Sequence, residues 1–594
     1  MNIKLSQFEK KSFNKFNLLC GKVEGRKLDN AQIKAIINEE ENNLVIAGAG
    51  TGKTTTIVGK IKYLVNKGVD PSNILVLSFT NKSASEMKER IEKEIGKRVD
   101  AYTFHKLGLL IVKSVKENIN IYSEELTGFI VSTLNKLVND YEYLSKLVNF
   151  AYSNSDNLFS LKGEKVNYKE EKDVCNFLYF NGIVYNYDNI SSEFYLYEYD
   201  RYIRFSKKKR KRIENIIYIC ESDNVIYKLD SELKRIGISY KGVNYNDIWR
   251  MLNRDENLLF KVSSYFETII NLIKSNQYNI DDLYDGISSY LVRPLYLEYE
   301  RFLKENNVVD FNDMINEATC LVKENLFVHN YDYVIVDEYQ DISKARFNLL
   351  KALRKQKNYN LFCVGDDFQS IYRFSGSDIS LITHFDRYWG KTNVSRIQNT
   401  YRFSDKLAKI SGNFVMKNSN QIRKNIKGFE STENPIQVIS YDEVVTTLNS
   451  LPNFSTVYML GRYNKDIDVL RKCEGLTVLY DSYNKKESVI CDKRIDLNIE
   501  FLTVHKSKGL QADYTFVINN KNSEMGFPSK IIDDEFTKSL LDFSDDYPYA
   551  EERRLFYVAL TRCKIKCFLV IEEGNESVFI DEINTMIRKV WYNY

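Results

Sequence analysis

The chain is poor in the features that would place it outside the ordinary globular proteins. Proline occurs six times in 594 residues, no run of proline, glycine and serine marks a linker, and no internal repeat is present. A fibrous, low-complexity or solenoid chain is thereby excluded. Nine cysteines are present, but none forms a CxxC pair, and Cys563 and Cys567 are the only two close together. Neither a zinc ribbon nor a secreted disulfide framework is expected, and a reducing cytoplasm fits best. No run of about 18 apolar residues occurs, and the basic start MNIKLSQFEKKSFNKF lacks the apolar stretch of a signal peptide. Membrane spanning and secretion are not expected. An excess of one charge is missing too. Lys and Arg number 84 against 81 Asp and Glu, a net charge of +3, so a site for a polyanion has to be a local patch.

What is present is a normal core-forming composition, 43% apolar and 28% charged, over a length that suggests about four folding units. Two regions alternate short apolar strands with amphipathic helices, which predicts an α/β fold of parallel sheets covered on both faces. The first opens with NLVIAGAG (43–50) and ILVLSFT (74–80) and resumes with YDYVIVDE (331–338) and LFCVGDD (361–367). The second runs from about residue 395 to the end, with strands expected in PIQVISY, TVYMLG, LTVLY, FLTVH, YTFVIN and CFLVI. Between the halves of the first lies a Lys/Glu/Asn-rich stretch, about residues 111–300, that reads as a largely helical insertion. It contains the basic run KKKRKR at 207–212, either a solvated face or a contact for duplex phosphates.

After the strand LVIA comes GAGTGKTTT, in which Gly48, Gly50 and Gly52 can take backbone angles closed to other residues before a helix begins at Thr54. Successive N–H groups and the helix dipole form a phosphate cradle, with Lys53 reaching the β and γ oxygens and the Thr54 hydroxyl ligating Mg²⁺. The nucleotide-binding set is Ala47, Gly48, Ala49, Gly50, Thr51, Gly52, Lys53, Thr54 and Thr55; Ala47 stands where the general pattern has glycine. YDYVIVDE delivers Asp337 and Glu338 at the end of a buried strand, where such sheets bind ligands. Asp337 is expected to hold Mg²⁺ through its water shell, and Glu338 to orient and deprotonate the attacking water.

Ten segments then stand in one order: LDNAQ (28–32), AGAGTGKT (47–54), SFTNKSASEM (78–87), TFHKL (103–107), VVDFNDMI (308–315), VIVDEYQD (334–341), VGDDFQSIYRFSG (364–376), NTYRF (399–403), TVHKSKGLQADY (503–514) and AEERRLFYVALTRC (550–563). In these the chain resembles the UvrD/Rep-like branch of superfamily 1 DNA helicases, of the helicase IV type, over about residues 28–110 and 305–594. The resemblance implies two RecA-like domains with ATP between them and single-stranded DNA across their tops. On that basis residues 1–110 and 301–394 are the first RecA-like domain, 111–300 the insertion and 395–594 the second domain. Gln32 resembles the adenine-reading glutamine, Tyr401 the aromatic stacked on adenine, Arg402 a γ-phosphate sensor, Gln369 the link from γ-phosphate to DNA, and Arg562 the arginine finger. Phe79, Thr80, Phe104, His105, Tyr372, Arg373, Phe374 and His505 are implied to line the strand.

Several positions depart from the family pattern. Gln511 replaces the acidic residue after GL, and Ser375 stands where relatives place a DNA-contacting arginine. The 99 residues from Arg402 to Phe501 are mostly occupied by expected strands and helices, so the large second insertion of UvrD and Rep is expected to be absent or rudimentary. Residues 170–188 resemble the start of a nuclease-like module of some helicase IV relatives, without the acidic and Asp/Glu-x-Lys residues a metal would need, and an ordinary helical insertion reads as well. The resemblance implies an ATP- and Mg²⁺-dependent translocase that works on single-stranded DNA and duplex junctions with 3′ to 5′ movement. Two rivals remain: a nucleic-acid-stimulated ATPase that remodels a protein complex, and the motor of a defence or repair nuclease whose partner is encoded separately.

Overall fold

The computed structural model describes residues 7–116, 118–153, 160, 162, 164–206, 215–220, 225–238, 240, 256–283, 286–431, 433–481, 486–541 and 545–592. The run Lys207–Arg212 lies outside the described residues. The chain divides into two compact units, one of residues 1–122, 271–278 and 306–594, the other of residues 123–270 and 279–305.

The first unit holds two sheets, and each anchors a lobe. The first lobe's sheet is all parallel, in the order Asn393–Ile397, Asn42–Ala47, Asn360–Gly365, Tyr333–Val336, Ile74–Ser78, Asp100–Thr103. The central strands are buried along their length, as parallel strands with helices on both faces must be. One face packs on the helices Asn30–Ile37, Lys53–Asn66 and Asn81–Ile95 through Ile36, Ile57, Ile61 and Met87. The other packs on Phe104–Val115, Phe311–Lys323 and Lys344–Gln356 through Leu107, Ile111, Ile315 and Leu350. Each fully buried aliphatic side chain of this kind stabilises by about 1.5–3 kcal/mol. The short strands Asp100–Thr103 and Asn393–Ile397, at the two edges, carry no long apolar run and were not foreseen from the sequence.

The second lobe's sheet runs Ile436–Ser440, Cys563–Ile571, Ala512–Val517, Thr456–Gly461, Asn498–Thr503, Lys486–Cys491, Leu476–Asp481. All six expected strands form, and a seventh, Lys486–Cys491, turns the edge antiparallel through a hairpin with Leu476–Asp481. In the second unit the helices Leu126–Leu137, Tyr141–Ser153 and Gly286–Glu305 pack together, and a four-stranded sheet adds a core of its own, built on Val174, Leu178, Phe194, Leu196, Ile203, Ile219 and Leu229. That sheet is absent from the helical reading of the region, because its strands are only four to six residues long and, apart from Ile216–Cys220, mix polar with apolar residues rather than running apolar. Among the described residues no helix is long and apolar enough to cross a membrane.

Candidate nucleotide site and strand-facing surface

The loop after Asn42–Ala47 needs glycine twice over. Gly50 and Gly52 sit at φ 73° and 82°, the left-handed region that glycine alone enters freely. A Cβ on Gly50 would meet Arg402 Cβ at 2.5 Å, one on Gly52 would meet Gln32 Nε2 at 2.9 Å, and one on Gly48 would meet Ile426 Cδ1 at 2.4 Å. Ala47 is the last strand residue, paired with Ile397 and buried, so its extended backbone carries a methyl group without strain. Residues of the second lobe's leading segment close on this loop: Thr400 Oγ1 donates to Ala49 O at 2.8 Å and Tyr401 N–H to Gly50 O at 3.0 Å. Gln32 is buried in a capping box with Asp29, and its amide donates to Thr51 O at 3.2 Å. The Tyr401 ring stands exposed beside the same helix start, its hydroxyl donating to Asp29 at 3.2 Å. The Thr55 hydroxyl turns the other way, donating to Glu24 at 2.9 Å and accepting from Arg90 at 3.0 Å.

Lys53 and the paired acids meet directly. Lys53 Nζ lies 2.7 Å from Glu338 Oε2, and Gln340 Nε2 donates to the same oxygen at 2.6 Å. Burial disfavours the Glu338 carboxylate, but the Lys53 and Lys508 ammonium groups outweigh it and hold the carboxyl below its ordinary range. Asp337, accepting from the Glu338 N–H at 2.9 Å, is shifted the other way by burial and by the Glu338 charge. The buried Asp337 carboxylate, and the hydroxyl of the half-buried Thr54 at the start of the helix after the loop, are oxygen donors of the kind Mg²⁺ takes. Mg²⁺ typically binds through one or two carboxylates together with substrate phosphates.

From Glu338 the bonds run into the second lobe. Gln340 donates to Asp341 at 3.2 Å and accepts from the Asp366 N–H at 2.9 Å. Gln369 donates to Asp366 at 2.6 Å and accepts from Arg562 Nη2 at 3.2 Å. Arg562, only 1% exposed, thus faces the acid network rather than solvent, with Glu338 and Asp366 near enough to favour its charge against burial and the neighbouring Arg402. Arg402 donates to Gln511 at 3.1 Å and to Thr561 O at 3.1 Å. A neutral glutamine there holds the guanidinium without cancelling its charge, as an acidic residue would. Lys424 forms a buried triad with Asp366 and Asp367, and Lys508 pairs with Asp341 at 2.5 Å while donating to Gln369 O at 2.6 Å. Gln340, Asp341, Lys424 and Lys508 were not singled out from the sequence. Asp341 and Lys508 lie inside quoted motifs, and a buried charge within such a motif was the available signal.

Beyond Lys508 the character changes from charge to rings. Its ammonium lies 4.8 Å from the Tyr372 ring centre, and Tyr372 stacks on Phe79 at 5.3 Å with 11° between planes. His505 is 6.3 Å from Tyr372 and 5.5 Å from Phe374, which is 56% exposed. Burial and the nearby Arg462 and Lys508 push His505 down to about 4, so it is neutral near pH 7. His105, lowered to about 4 by burial and Arg346, packs edge-on against Phe311 at 5.7 Å. Thr80 is exposed and caps the helix from Asn81, accepting from Ser83 N–H. Arg373 is engaged by Asp533 at 3.0 Å.

Phe104 is a correction. It is 4% exposed and belongs to the core beneath the sheet. Thr103 caps the helix that starts at Phe104, so this first helical residue turns inward, while His105, about 100° further round, is partly exposed and Lys106 faces solvent.

A phosphate loop, a pair of strand-end acids and an arginine delivered from a second parallel-sheet lobe define a two-lobed nucleoside-triphosphatase. The family model of the UvrD/REP helicase N-terminal domain matches residues 28–389, and the chain belongs to that family. It is 28% identical over 571 residues to DNA helicase IV of Escherichia coli (strain K12), covering 95% of this chain and 71% of that protein. It is 24% identical over 570 residues to a probable DNA helicase of Mycoplasma pneumoniae, covering 91% and 83%. ATP-dependent DNA helicase PcrA of Staphylococcus aureus (strain Mu50) is 26% identical over 428 residues, 70% of this chain and 43% of PcrA.

Proposed function

We propose that the protein is an ATP-driven DNA helicase that moves 3′ to 5′ on single-stranded DNA. The observation that carries this reading is the unbroken run of contacts from Lys53 through Glu338, Gln340, Asp341 and Lys508 to Tyr372, which joins the phosphate loop to a partly exposed ring cluster. In this reading the loop N–H groups and Lys53 bind the phosphates, and Glu338, released from Lys53 by the incoming γ-phosphate, accepts the proton of the attacking water. Thr54 and Asp337 would hold Mg²⁺, which supplies charge neutralisation on the phosphates. Arg562 and Arg402 stabilise the charge that develops on the transferred group. Gln369 bonds both to Asp366 of its own lobe and to Arg562 of the other, so loss of the γ-phosphate changes the grip between lobes. Tyr372, Phe374, His505 and Phe79 present rings on which bases of any sequence stack, as a stepping motor requires.

The test is ATP hydrolysis and strand separation on duplexes with a 3′ tail, a 5′ tail or blunt ends. Unwinding of the 3′-tailed substrate alone, lost in Lys53→Ala, is expected. Unwinding from a 5′ tail alone overturns the polarity. Hydrolysis without separation on every substrate overturns unwinding itself and favours a DNA-stimulated remodeller.

A further inference from the structure

The sheet of the second unit has two unlike faces. Its strands are Tyr185–Asp188, Glu193–Leu196, Arg201–Ser206 and Ile216–Cys220, paired in that order. Inward residues Phe194, Leu196, Ile203, Ile217 and Ile219 are packed by Val174 and Leu178 of the helix Lys169–Phe180 and by Leu229 and Leu233 of the helix Val225–Arg235. The outward positions include Tyr195, Tyr202 and Arg204 together with Glu193, Ser206 and Ile216, and Tyr197 follows in the turn after the strand Glu193–Leu196. Tyr195 stands opposite Tyr202 in register, their rings 4.9 Å apart, and Tyr197 meets Tyr195 edge-on at 5.2 Å. Arg204 lies 5.6 Å from the Tyr202 ring centre and opposite Tyr218 in the next strand. Tyr197 is 55% exposed and Tyr202 37%.

We propose that this outward face binds a single strand of nucleic acid, with bases stacked on Tyr195, Tyr197 and Tyr202 and a phosphate held by Arg204. Tyrosines that serve only the core turn their rings inward, as Tyr185 does at 3% exposure. Here three rings lie on the face opposite the helices Lys169–Phe180 and Val225–Arg235, with Tyr197 and Tyr202 solvent-accessible, and a sheet displaying rings on one face is a base-stacking platform. Charge favours the same occupant. From Arg201 to Arg212 the sequence RYIRFSKKKRKR holds eight Lys or Arg and no acid. Glu193 pairs with Arg204 at 2.7 Å and Asp200 accepts from the Tyr195 hydroxyl at 3.0 Å. Arg204 therefore exchanges a surface partner for a phosphate rather than giving up a buried one. The site rests on the helicase reading for its ligand, but it is separate from the Phe79–Tyr372 cluster of the first unit.

The test is photocrosslinking of the full chain to a single-stranded oligonucleotide carrying 5-iododeoxyuridine, with the crosslinked peptides mapped. Crosslinks are expected on peptides bearing Tyr195 or Tyr202 as well as on those bearing Phe79 or Tyr372. Tyr195→Ala with Tyr202→Ala is expected to cut crosslinking of the sheet peptides at least about fivefold, to leave the Phe79 and Tyr372 crosslinks in place, and to be rescued by Phe at both positions. Crosslinks at Phe79 or Tyr372 alone overturn this proposal and leave the helicase reading standing. Crosslinks at neither overturn both. Sheet crosslinks that appear only with a fully duplex probe, or that fall together with all others in the double variant, also overturn the stacking platform.

Discussion

Around Lys53 nearly every polar atom has a charged or amide partner, whereas around Tyr372 the neighbours are rings. Glu338 meets Lys53 and Gln340, Asp366 meets Lys424 and Gln369, and Arg562 meets Gln369, most of them out of solvent. Tyr372, Phe79, His505 and Phe374 meet one another at ring separations of 5.3–6.3 Å, with Phe374 more than half exposed. The difference follows from what each side is proposed to do. Phosphoryl transfer depends on charges fixed in advance and dry, while stepping along DNA needs contacts indifferent to sequence that form and break in water. Removing one group from the charged side is therefore expected to be far more damaging than removing one ring.

The largest effect should come from Arg562→Ala. An arginine that stabilises transition-state charge is worth about 10³- to 10⁵-fold in turnover, and steady-state ATP hydrolysis with saturating single-stranded DNA measures it. A loss below tenfold would show that Arg562 only ties the lobes together through Gln369, and the contrast between the two sides would weaken. Glu338→Gln comes next. General base catalysis contributes about 10²- to 10⁴-fold, so hydrolysis should fall by that order while a fluorescent nucleotide still binds; turnover retained at wild-type level would reject the role.

The two sides were also unequally legible in the sequence. Lys53, Asp337 and Glu338 follow from local patterns, because a glycine loop after an apolar strand and acids at a strand end each carry their chemistry in adjacent residues. Arg562, Gln369 and Tyr401 came from resemblance alone; their places depend on the approach of two lobes that share no short-range signal. Phe104 went wrong because a ring in a motif reads the same whether it lines a core or a groove, and helix phase decides which. Lys424 was invisible: its partners Asp366 and Asp367 are 58 and 57 residues away, and nothing in the surrounding text NQIRKNIKG marks a buried ion triad. The small sheet of the second unit was missed because its strands are short and half exposed.

Asp341 probes the joint between the two sides. One of its oxygens pairs with Lys508, while the other is buried without a hydrogen-bond partner. Burial, opposed by Lys508 and Lys53 and reinforced by Glu338, pushes its carboxyl up to about 6; Arg346 lies near as well. A raised native value means that the folded chain holds this proton more tightly than the unfolded chain does. The contribution to stability is then fully present below the ordinary carboxylate value and is lost as pH rises through about 6. Asp341→Asn removes this titration. Urea unfolding between pH 4 and pH 7 should show the wild type losing stability relative to the variant by at most about 3 kcal/mol, and a difference independent of pH would contradict the assignment.

The smallest effect is expected at Phe374. Its ring is 56% exposed and touches His505 and Tyr372 only at its edge, at 5.5 and 6.1 Å, so Phe374→Ala removes a stacking surface without opening a cavity. Single-strand affinity should weaken by about 1–3 kcal/mol, equally for oligo(dT) and for mixed sequence. The salt dependence of binding should keep its slope, because no phosphate-neutralising charge has been removed. A changed slope, or a loss confined to one sequence, would mean that this side reads charge or base identity after all, and the contrast with the wired surroundings of Lys53 would no longer hold.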